Sequence, residues 1–282
     1  MSKILTSGCC VMHIVCFVCS PIVGFEIKTD RGLALGGATL MAHPTASDII
    51  ATPGIWLGSD EVFISAALQR RFNLRELDNA TFASVYIYRN VTFGLGLQQF
   101  GRSDYYAEKT LRLSLGYQNG DYKIATVYSA RELEFGGPDY PSLSAGAFGF
   151  SLGINTKYAL LSLLADNLNS PSFTELSPRA KKFVEMQIQP KSESMISAIV
   201  RLRARENDKP QFALGQMLQL TESVRLLWGL ENRPLQYGSG LEIRYTNVTI
   251  IYGGRFHPDL GYTHQASLAY SFGKQSPNRE NQ

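Results

Sequence analysis

The stretch Tyr262-Thr-His-Gln-Ala-Ser-Leu-Ala-Tyr-Ser-Phe272, near the end of the 282-residue chain, alternates between two kinds of side chain. One alternate set is mostly large and apolar or aromatic: Tyr262, His264, Ala266, Leu268, Tyr270 and Phe272. The other set is small or polar. A period of two indicates a β-strand with one face in an apolar environment. A tilted strand of this length would cross a bilayer core of roughly 30 Å, and aromatic residues near both ends are typical of membrane-spanning strands.

The same alternation recurs from residue 61 onward. It predicts fourteen strands over residues 62–72, 81–89, 91–100, 109–118, 122–131, 147–155, 158–166, 182–189, 194–205, 211–220, 224–231, 240–246, 248–255 and 262–272. Most of these segments exclude a helix, because apolar residues recur at every second position and glycines lie inside the segments. The segment 158–166 is apolar on both faces, so its register is the least defined.

The connections between these segments alternate between short and long. The longest links cover residues 132–144 and 167–179. Strict alternation is typical of an antiparallel meander that closes into a barrel, and closure removes every sheet edge. In outer-membrane barrels the short turns face the periplasm, and an even strand number puts both termini on that side. We therefore predict a 14-stranded antiparallel transmembrane β-barrel over residues 61–272, in a Gram-negative outer membrane with both termini periplasmic.

Two soluble all-β folds are alternatives to the barrel. A propeller should repeat a blade signature about every 40–50 residues, and none is present. A sandwich gives no reason for apolar faces of membrane-spanning length on nearly all strands.

The N-terminal residues 1–24 predict a secretory signal peptide. Lys3 precedes the apolar run 11–18, and Gly24 offers a small residue for cleavage. The alternative is an uncleaved anchor helix, against which His13 and Pro21 argue. All four cysteines lie within this segment, so a processed chain would have no disulfide, thiolate metal site or cysteine nucleophile.

The net charge and the spacing of the histidines argue against two classes of function, nucleic-acid binding and catalysis. The formal charge of +3 gives no reason to expect a nucleic-acid partner. His43, His257 and His264 show neither metal-ligand spacing nor a serine and aspartate partnership, so we expect no enzyme and no cofactor. Residues 273–282 form a polar C-terminal tail whose composition is typical of disorder.

Residues 25–60 are not strand-like, and we predict an N-terminal plug or hatch segment there. Glycines, including Gly36 and Gly37, interrupt any regular pattern. The sequence Thr45-Ala-Ser-Asp48 matches a capping box that opens a short helix through Ile50. Pro53-Gly54 would end that helix.

Parts of this segment resemble an entry motif of the FadL-like superfamily, with the PorV/PorQ type of outer-membrane protein as the nearest match. The resemblance is carried by residues 35–43 and by Thr52-Pro53-Gly54, which stands at an Asn-Pro-Ala-Gly turn but lacks its Asn and Ala. Residues 165–171 and 257–264 are also similar. The resemblance implies a fourteen-stranded barrel whose N-terminal segment plugs the lumen. Some members move hydrophobic molecules across the outer membrane, whereas others carry no solute and act as partners for secreted or surface-attached proteins.

Eight charged residues are expected to point into the lumen: Arg112, Lys123, Glu185, Arg201, Arg203, Arg225, Glu242 and Arg244. They fit either a solvated, internally paired lumen or a site for an amphipathic ligand whose acidic head group binds arginines. The plug residues are Gly36, Gly37, Asp48, Pro53 and Gly54. They fit either a filler for a wide barrel or a hatch that moves on flexible glycines.

A third cluster, Arg179, Lys181 and Lys182, is expected where the eighth strand begins on the outer side. It fits either a hydrated rim or a contact with outer-membrane lipid, through the phosphates of lipopolysaccharide. Two functions follow as hypotheses for the whole chain. One is passive uptake of hydrophobic or amphipathic small molecules, and the other is a non-transporting role as partner of a secreted or surface protein.

Overall fold

The computed structural model describes residues 26–55, 61–137, 141–174, 177, 179–191 and 195–272; the predicted signal peptide and the C-terminal tail lie outside these ranges. The strands are β1 (Val62–Arg70), β2 (Asp78–Tyr88), β3 (Val91–Arg102), β4 (Tyr106–Asn119), β5 (Tyr122–Phe135), β6 (Leu143–Asn155), β7 (Ala159–Asp166), β8 (Phe183–Pro190), β9 (Ile196–Arg205), β10 (Gln211–Gln219), β11 (Val224–Asn232), β12 (Leu235–Tyr245), β13 (Val248–His257) and β14 (Gly261–Phe272). Each strand pairs antiparallel with its sequence neighbour, and β1 pairs with β14 to close the barrel. The predicted 14-stranded fold is confirmed.

Several strands run further than the hydropathy pattern predicted. β5 and β6 continue until only residues 136–142 separate them, and β11 and β12 are joined by residues 233–234 alone. The predicted strict alternation of short and long links is therefore wrong. The β5 extension is polar on its outward face, with Glu132 paired opposite Lys109 and an ion pair between Lys109 and Glu134, so it lacks the apolar face that identifies a strand in sequence. The β12 extension carries the exposed Leu235 and Tyr237, which the predicted start at residue 240 left out.

The two ends of the barrel differ in their connections. At one end, the turn end, the chain reverses by short turns after β2, β4, β6, β8, β10 and β12. At the other, the loop end, lie the connections after the odd-numbered strands, of which residues 167–182 form the longest. A 3₁₀ turn (Arg75–Leu77) lies in the β1–β2 connection at the loop end.

The outward faces of the strands form an apolar band. Exposed aliphatic side chains include Leu68, Leu95, Leu113, Ile124, Leu226, Ile250 and Leu268. Exposed aromatic side chains near the turn end include Tyr88, Tyr117, Tyr122, Tyr158, Tyr245 and Phe272. Such a girdle marks the boundary between hydrocarbon and water in membrane barrels. No helix in the described part of the chain is long and apolar enough to cross a bilayer.

The burial of its side chains shows which face of β7 points into the lumen, which the sequence left open. Ser162, Leu164 and Asp166 face inward and are buried, whereas Leu163 between them faces outward. Leu160 also packs against buried residues of the interior. The inward face of β7 is partly apolar because its side chains pack against protein inside the lumen.

Residues 26–55, which we call the plug, lie inside the barrel. The helix α1 (Ala46–Ala51) has Thr45 as its N-cap, and the side chains of Thr45 and Asp48 form the predicted capping box. One apolar cluster packs the plug, through Ile27, Ile49 and Ile50, against β1 and β2. A second cluster packs residues 34–40 against β9 to β13. The lumen is therefore filled largely by protein.

The plug passes through the lumen from the loop end to the turn end. Glu26 contacts Arg205 at the loop end of β9, and Gly54 contacts Ser151 towards the turn end of β6. Residue 26 and Phe272 consequently lie at opposite ends of the barrel. Residues 1–25 and 273–282 lie outside the described ranges, so the expectation that both termini are periplasmic stays a prediction.

Candidate functional site: the loop-end cavity and the plug

A cavity of about 290 Å³ opens above the plug at the loop end. Its lining is rich in basic side chains: Lys28, Arg71, Arg112, Arg201, Arg203, Arg205, Arg233 and Arg255. Four acidic side chains also line it: Glu26, Asp166, Glu185 and Glu231. The cavity therefore carries an excess of positive charge.

The arginines of β9 point into this cavity because they occupy alternate positions of one strand. The carboxylate of Glu26 bridges Arg203 and Arg205, with both N–O distances at 2.7 Å. Arg203 also donates to Glu185 Oε2 over 2.6 Å, and its guanidinium lies 4.8 Å from the centre of the Phe183 ring. Burial raises the pKa of Glu26, but the two guanidinium groups outweigh burial and hold it well below 4.5.

Three other cations in the cavity make no ion pair within the described ranges. They are Lys28 on the plug, Arg233, and Arg71, which lies 4.7 Å from the centre of the Phe100 ring. Burial lowers the pKa of Lys28 from 10.5 to about 7, and the neighbouring arginines reinforce this effect while Glu26 opposes it. No carboxylate of the described chain forms an ion pair with these three side chains, although Glu26 attracts Lys28 and Arg71 over a longer range.

The eight predicted lumen residues all face inward, but they divide into three places. Arg112, Glu185, Arg201 and Arg203 line the loop-end cavity. Lys123 is fully buried outside this lining, and its Nζ has no hydrogen-bond partner among the described residues.

The remaining three predicted residues meet near the turn end. Glu242 accepts from Arg225 over 3.2 Å and from Arg244 over 2.8 Å. Arg31 of the plug donates to Glu242 over 2.5 Å and to Asp48 over 2.7 Å, and all three side chains are almost completely buried. This part of the lumen is internally paired.

Sequence reasoning missed several functional side chains of the cavity: Glu26, Lys28, Arg71, Arg205, Arg233 and Arg255. Arg205 and Arg255 occupy alternate positions of their strands that face the lumen, and this pattern in the sequence could have identified them. Glu26 and Lys28 belong to the plug, which has no period from which a facing direction could be derived.

The predicted plug glycines are contact points with the barrel wall. Gly36 has a φ of +65°, and an added Cβ there would lie 2.7 Å from the Leu230 carbonyl oxygen. Gly37 has a φ of +88°, and Arg201 donates to its carbonyl oxygen over 2.8 Å. Gly54 packs against Gly153, whose Cβ would approach the Gly54 oxygen to 1.7 Å, and the adjacent Pro53 is buried. Movement of this segment as a hatch stays a prediction.

The rim cluster lies at the loop end, before β8. Arg179 and Lys182 are exposed, whereas Lys181 forms an ion pair with Asp208 at 2.6 Å. We expect replacement of Arg179, Lys181 and Lys182 by serine to lower lipid A retention in native mass spectra, because basic side chains bind its phosphates. Replacing the exposed pair Arg70 and Asp78 by serine is the control. Equal retention in all variants would exclude the lipid contact.

No group of three His, Asp or Glu side chains in the described ranges could hold a metal ion. His264 lies on the outward face, where Tyr252 and Tyr262 stack on its ring, and its Nδ1 is 2.9 Å from the Tyr252 hydroxyl. His43 contributes its carbonyl oxygen to the Arg31 guanidinium over 3.0 Å.

Comparisons with known proteins agree with this architecture. No family model matches the sequence, and no curated protein is detectably similar to it. Among solved structures, the Pseudomonas putida toluene transporter TodX superposes with a TM-score of 0.60 at 8% identity, covering 88% of this chain and 98% of that one. A Pseudomonas aeruginosa FadL homologue gives 0.56 at 10% identity, covering 89% and 99%. The Acinetobacter baumannii outer membrane protein Omp33 gives 0.50 at 8% identity, covering 76% and 98%. The chain therefore has the fold of the FadL-like bacterial outer-membrane barrels.

Proposed function

We propose that the protein is a passive outer-membrane transport barrel for amphipathic compounds with an acidic head group. In this proposal the loop end faces the outside, the turn end faces the periplasm, and the solute enters through the loop-end cavity. The single observation that carries the proposal is the basic cavity above the plug.

The chemistry of the lining supports an acidic head group. Guanidinium groups bind carboxylates through two parallel hydrogen bonds, and a buried setting strengthens such bonds. Arg71 and Arg233, which make no ion pair within the described ranges, supply further positive charge. Ile27, Leu33 and Phe183 lie in the same lining and offer apolar contacts to the rest of the solute.

The proposed solute differs from that of the similar channels. TodX is described as a toluene transporter and a monoaromatic hydrocarbon channel, so its solutes are uncharged. A cavity with twice as many basic as acidic side chains favours an anion over a hydrocarbon of the same size.

Uptake into proteoliposomes tests this proposal with a matched pair of solutes, octanoate and 1-octanol. We expect saturable uptake of octanoate only. The double replacement Arg203→Gln with Arg205→Gln should weaken its apparent affinity by about 10–100-fold, because it removes two charge-assisted hydrogen bonds and leaves Glu26 to repel the carboxylate.

Arg70→Gln is the control for this experiment, since Arg70 pairs with Asp78 on the exposed surface near the same end. Equal, unsaturable uptake of both solutes would contradict the proposal, and so would equal affinities in the control and the double variant.

The dense packing of the plug favours a second candidate, a sealed barrel that acts as partner of a secreted or surface protein. Its longest connection between strands, residues 167–182, offers a place for such a contact. Deleting residues 172–177 should then abolish crosslinking of such a protein to cells that express the barrel, and the barrel should show no saturable octanoate uptake with or without the deletion. Crosslinking that survives the deletion would exclude this connection as the contact.

A further inference from the structure

Where the chain leaves β1 at the loop end, an arginine and a phenylalanine lie side by side. Arg71 and Phe72 both line the loop-end cavity. The guanidinium of Arg71 lies over the ring of Phe100 on β3, 4.7 Å from its centre. It makes no ion pair or hydrogen bond with the described residues, and Glu108 and Glu26 attract it only over a longer range. Its N–H groups can therefore bind an acceptor inside the cavity.

Phe72 is held in a backbone conformation that a large side chain rarely adopts. Its φ is +53°, and that of Asn73 is +60°. The Leu74 amide donates to the Arg71 carbonyl oxygen over 2.9 Å, so these two residues form the centre of a tight turn. Positive φ at both central positions is typical of a type I′ turn, which favours Gly, Asn and Asp. Asn73 fits this turn, whereas Phe72 is strained in it.

The ring of Phe72 is also supported from the neighbouring connection. It meets the ring of His257 edge to face, with 6.2 Å between the ring centres and 81° between the ring planes. His257 lines the cavity too, and its Nδ1 accepts from the amides of Asp259 and Leu260 over 3.2 and 3.3 Å. The connection after β13 thus orients the imidazole, which holds Phe72 at the cavity. Strained residues that their surroundings hold in this way cluster at binding sites.

We propose that Arg71 and Phe72 together recognise the acidic solute: Arg71 binds its head group, and Phe72 packs on its apolar tail. This inference rests on the proposed function and assigns the two ends of the solute to two adjacent residues. Of the three cavity cations without an ion pair in the described ranges, only Arg71 is followed in the chain by an aromatic residue of the same lining. Asparagine or glycine at position 72 would relieve the turn, but it would leave no ring beside the guanidinium.

Two acids of different length separate the two roles in the proteoliposome assay. Acetate has a head group and hardly any tail, so its inhibition constant against octanoate uptake reports the head group alone. Phe72→Asn should weaken the apparent affinity for octanoate about tenfold, the scale of one lost apolar contact, and change the acetate constant by less than about twofold. Arg71→Gln should weaken both by about tenfold or more, because it removes a charge-assisted hydrogen bond.

Two neighbouring residues provide matched controls. Arg70 faces outward and pairs with Asp78, so Arg70→Gln removes a charge next to Arg71 without reaching the cavity. Asn73→Gly relaxes the same turn and keeps the Phe72 ring. Both controls should leave the affinities for octanoate and acetate unchanged.

Thermal unfolding gives a second readout for Phe72. Because asparagine tolerates a positive φ, relief of strain should outweigh the lost ring contact, and Phe72→Asn should raise the unfolding temperature by about 2–4 °C. A lower unfolding temperature would show that Phe72 serves to stabilise the turn, which contradicts the proposal.

The inference and the proposed function fail in different ways. An unsubstituted barrel without saturable octanoate uptake would reject both. Saturable uptake with the same octanoate affinity in Phe72→Asn would retain the function and reject the recognition by Phe72. Equal weakening of octanoate and acetate in Phe72→Asn would also reject it, because a general disturbance of the cavity has that effect.

Discussion

Replacing Arg31 with methionine is expected to detach the plug from the lower lumen and to cost about 3–5 kcal/mol of unfolding free energy, the range seen when one partner of a buried ion pair is removed. Arg31 is 1% exposed and contacts both Asp48 and Glu242. After the replacement Glu242 keeps Arg225 and Arg244, but Asp48 loses its only ion pair among the described residues. The main cost is therefore one uncompensated buried carboxylate.

Urea unfolding in lipid vesicles, followed by tryptophan fluorescence, measures the loss. Arg70→Met is the control, because its pair with Asp78 is about half exposed and such pairs contribute about 0–1 kcal/mol. Adding Asp48→Asn to Arg31→Met should recover part of the loss, since it removes the stranded charge. Equal effects of the Arg31 and Arg70 replacements would show that Arg31 does not hold the plug.

Replacing Gly229 with leucine is expected to prevent the plug from seating on β11. The new Cβ would lie 2.2 Å from the Leu35 carbonyl carbon and 2.4 Å from the Gly36 nitrogen. Both neighbours are main chain, so the clash cannot be relieved by a change of rotamer, and overpacking alone costs about 1–3 kcal/mol. Residues 26–55 should become accessible to protease added to the purified barrel, and ion conductance should rise.

Gly254→Leu provides the comparison, because Gly254 lies on β13, two strands from β11, and the nearest atom to an added Cβ there is the Thr263 oxygen at 3.9 Å. This variant should keep a protected plug and the conductance of the unsubstituted protein. A protease-resistant plug in Gly229→Leu would contradict the seating described above.

The strands were predictable because the barrel separates two solvents. On β14, Leu268 and Tyr270 face hydrocarbon, whereas Ser267 and Ala269 face the lumen. Apolar residues therefore recur at every second position of the sequence. The helix α1 was predictable for a local reason, since a capping box needs only Thr45 and Asp48 at the right spacing.

The polar ends of the strands and the path of the plug were not predictable in the same way. Strand extensions in water, such as Glu132–Lys109, carry no apolar face. The plug is held by contacts over more than a hundred residues of sequence, such as Arg31 with Glu242 and Met41 with Gln189. Nothing local in the sequence encodes those pairs, so the direction of the plug and the lining of its cavity emerge only from the structure.

The candidate site was predicted in part. Inward parity identified Arg201 and Arg203, which line the loop-end cavity, but it grouped them with Arg225 and Arg244, which belong to the paired network near the turn end. Alternation along a strand predicts whether a side chain faces the lumen. It does not predict how far along the lumen that side chain lies. The partners that separate the two groups, Glu26 and Arg31, lie on the plug.

Anomalous diffraction from crystals grown with 8-bromooctanoate tests the central claim most directly. We expect bromine and carboxylate density inside the loop-end cavity, with the carboxylate within hydrogen-bond distance of the basic side chains that line it. An empty cavity at a saturating concentration of the acid, or density only on the outward face of the strands, would contradict the account.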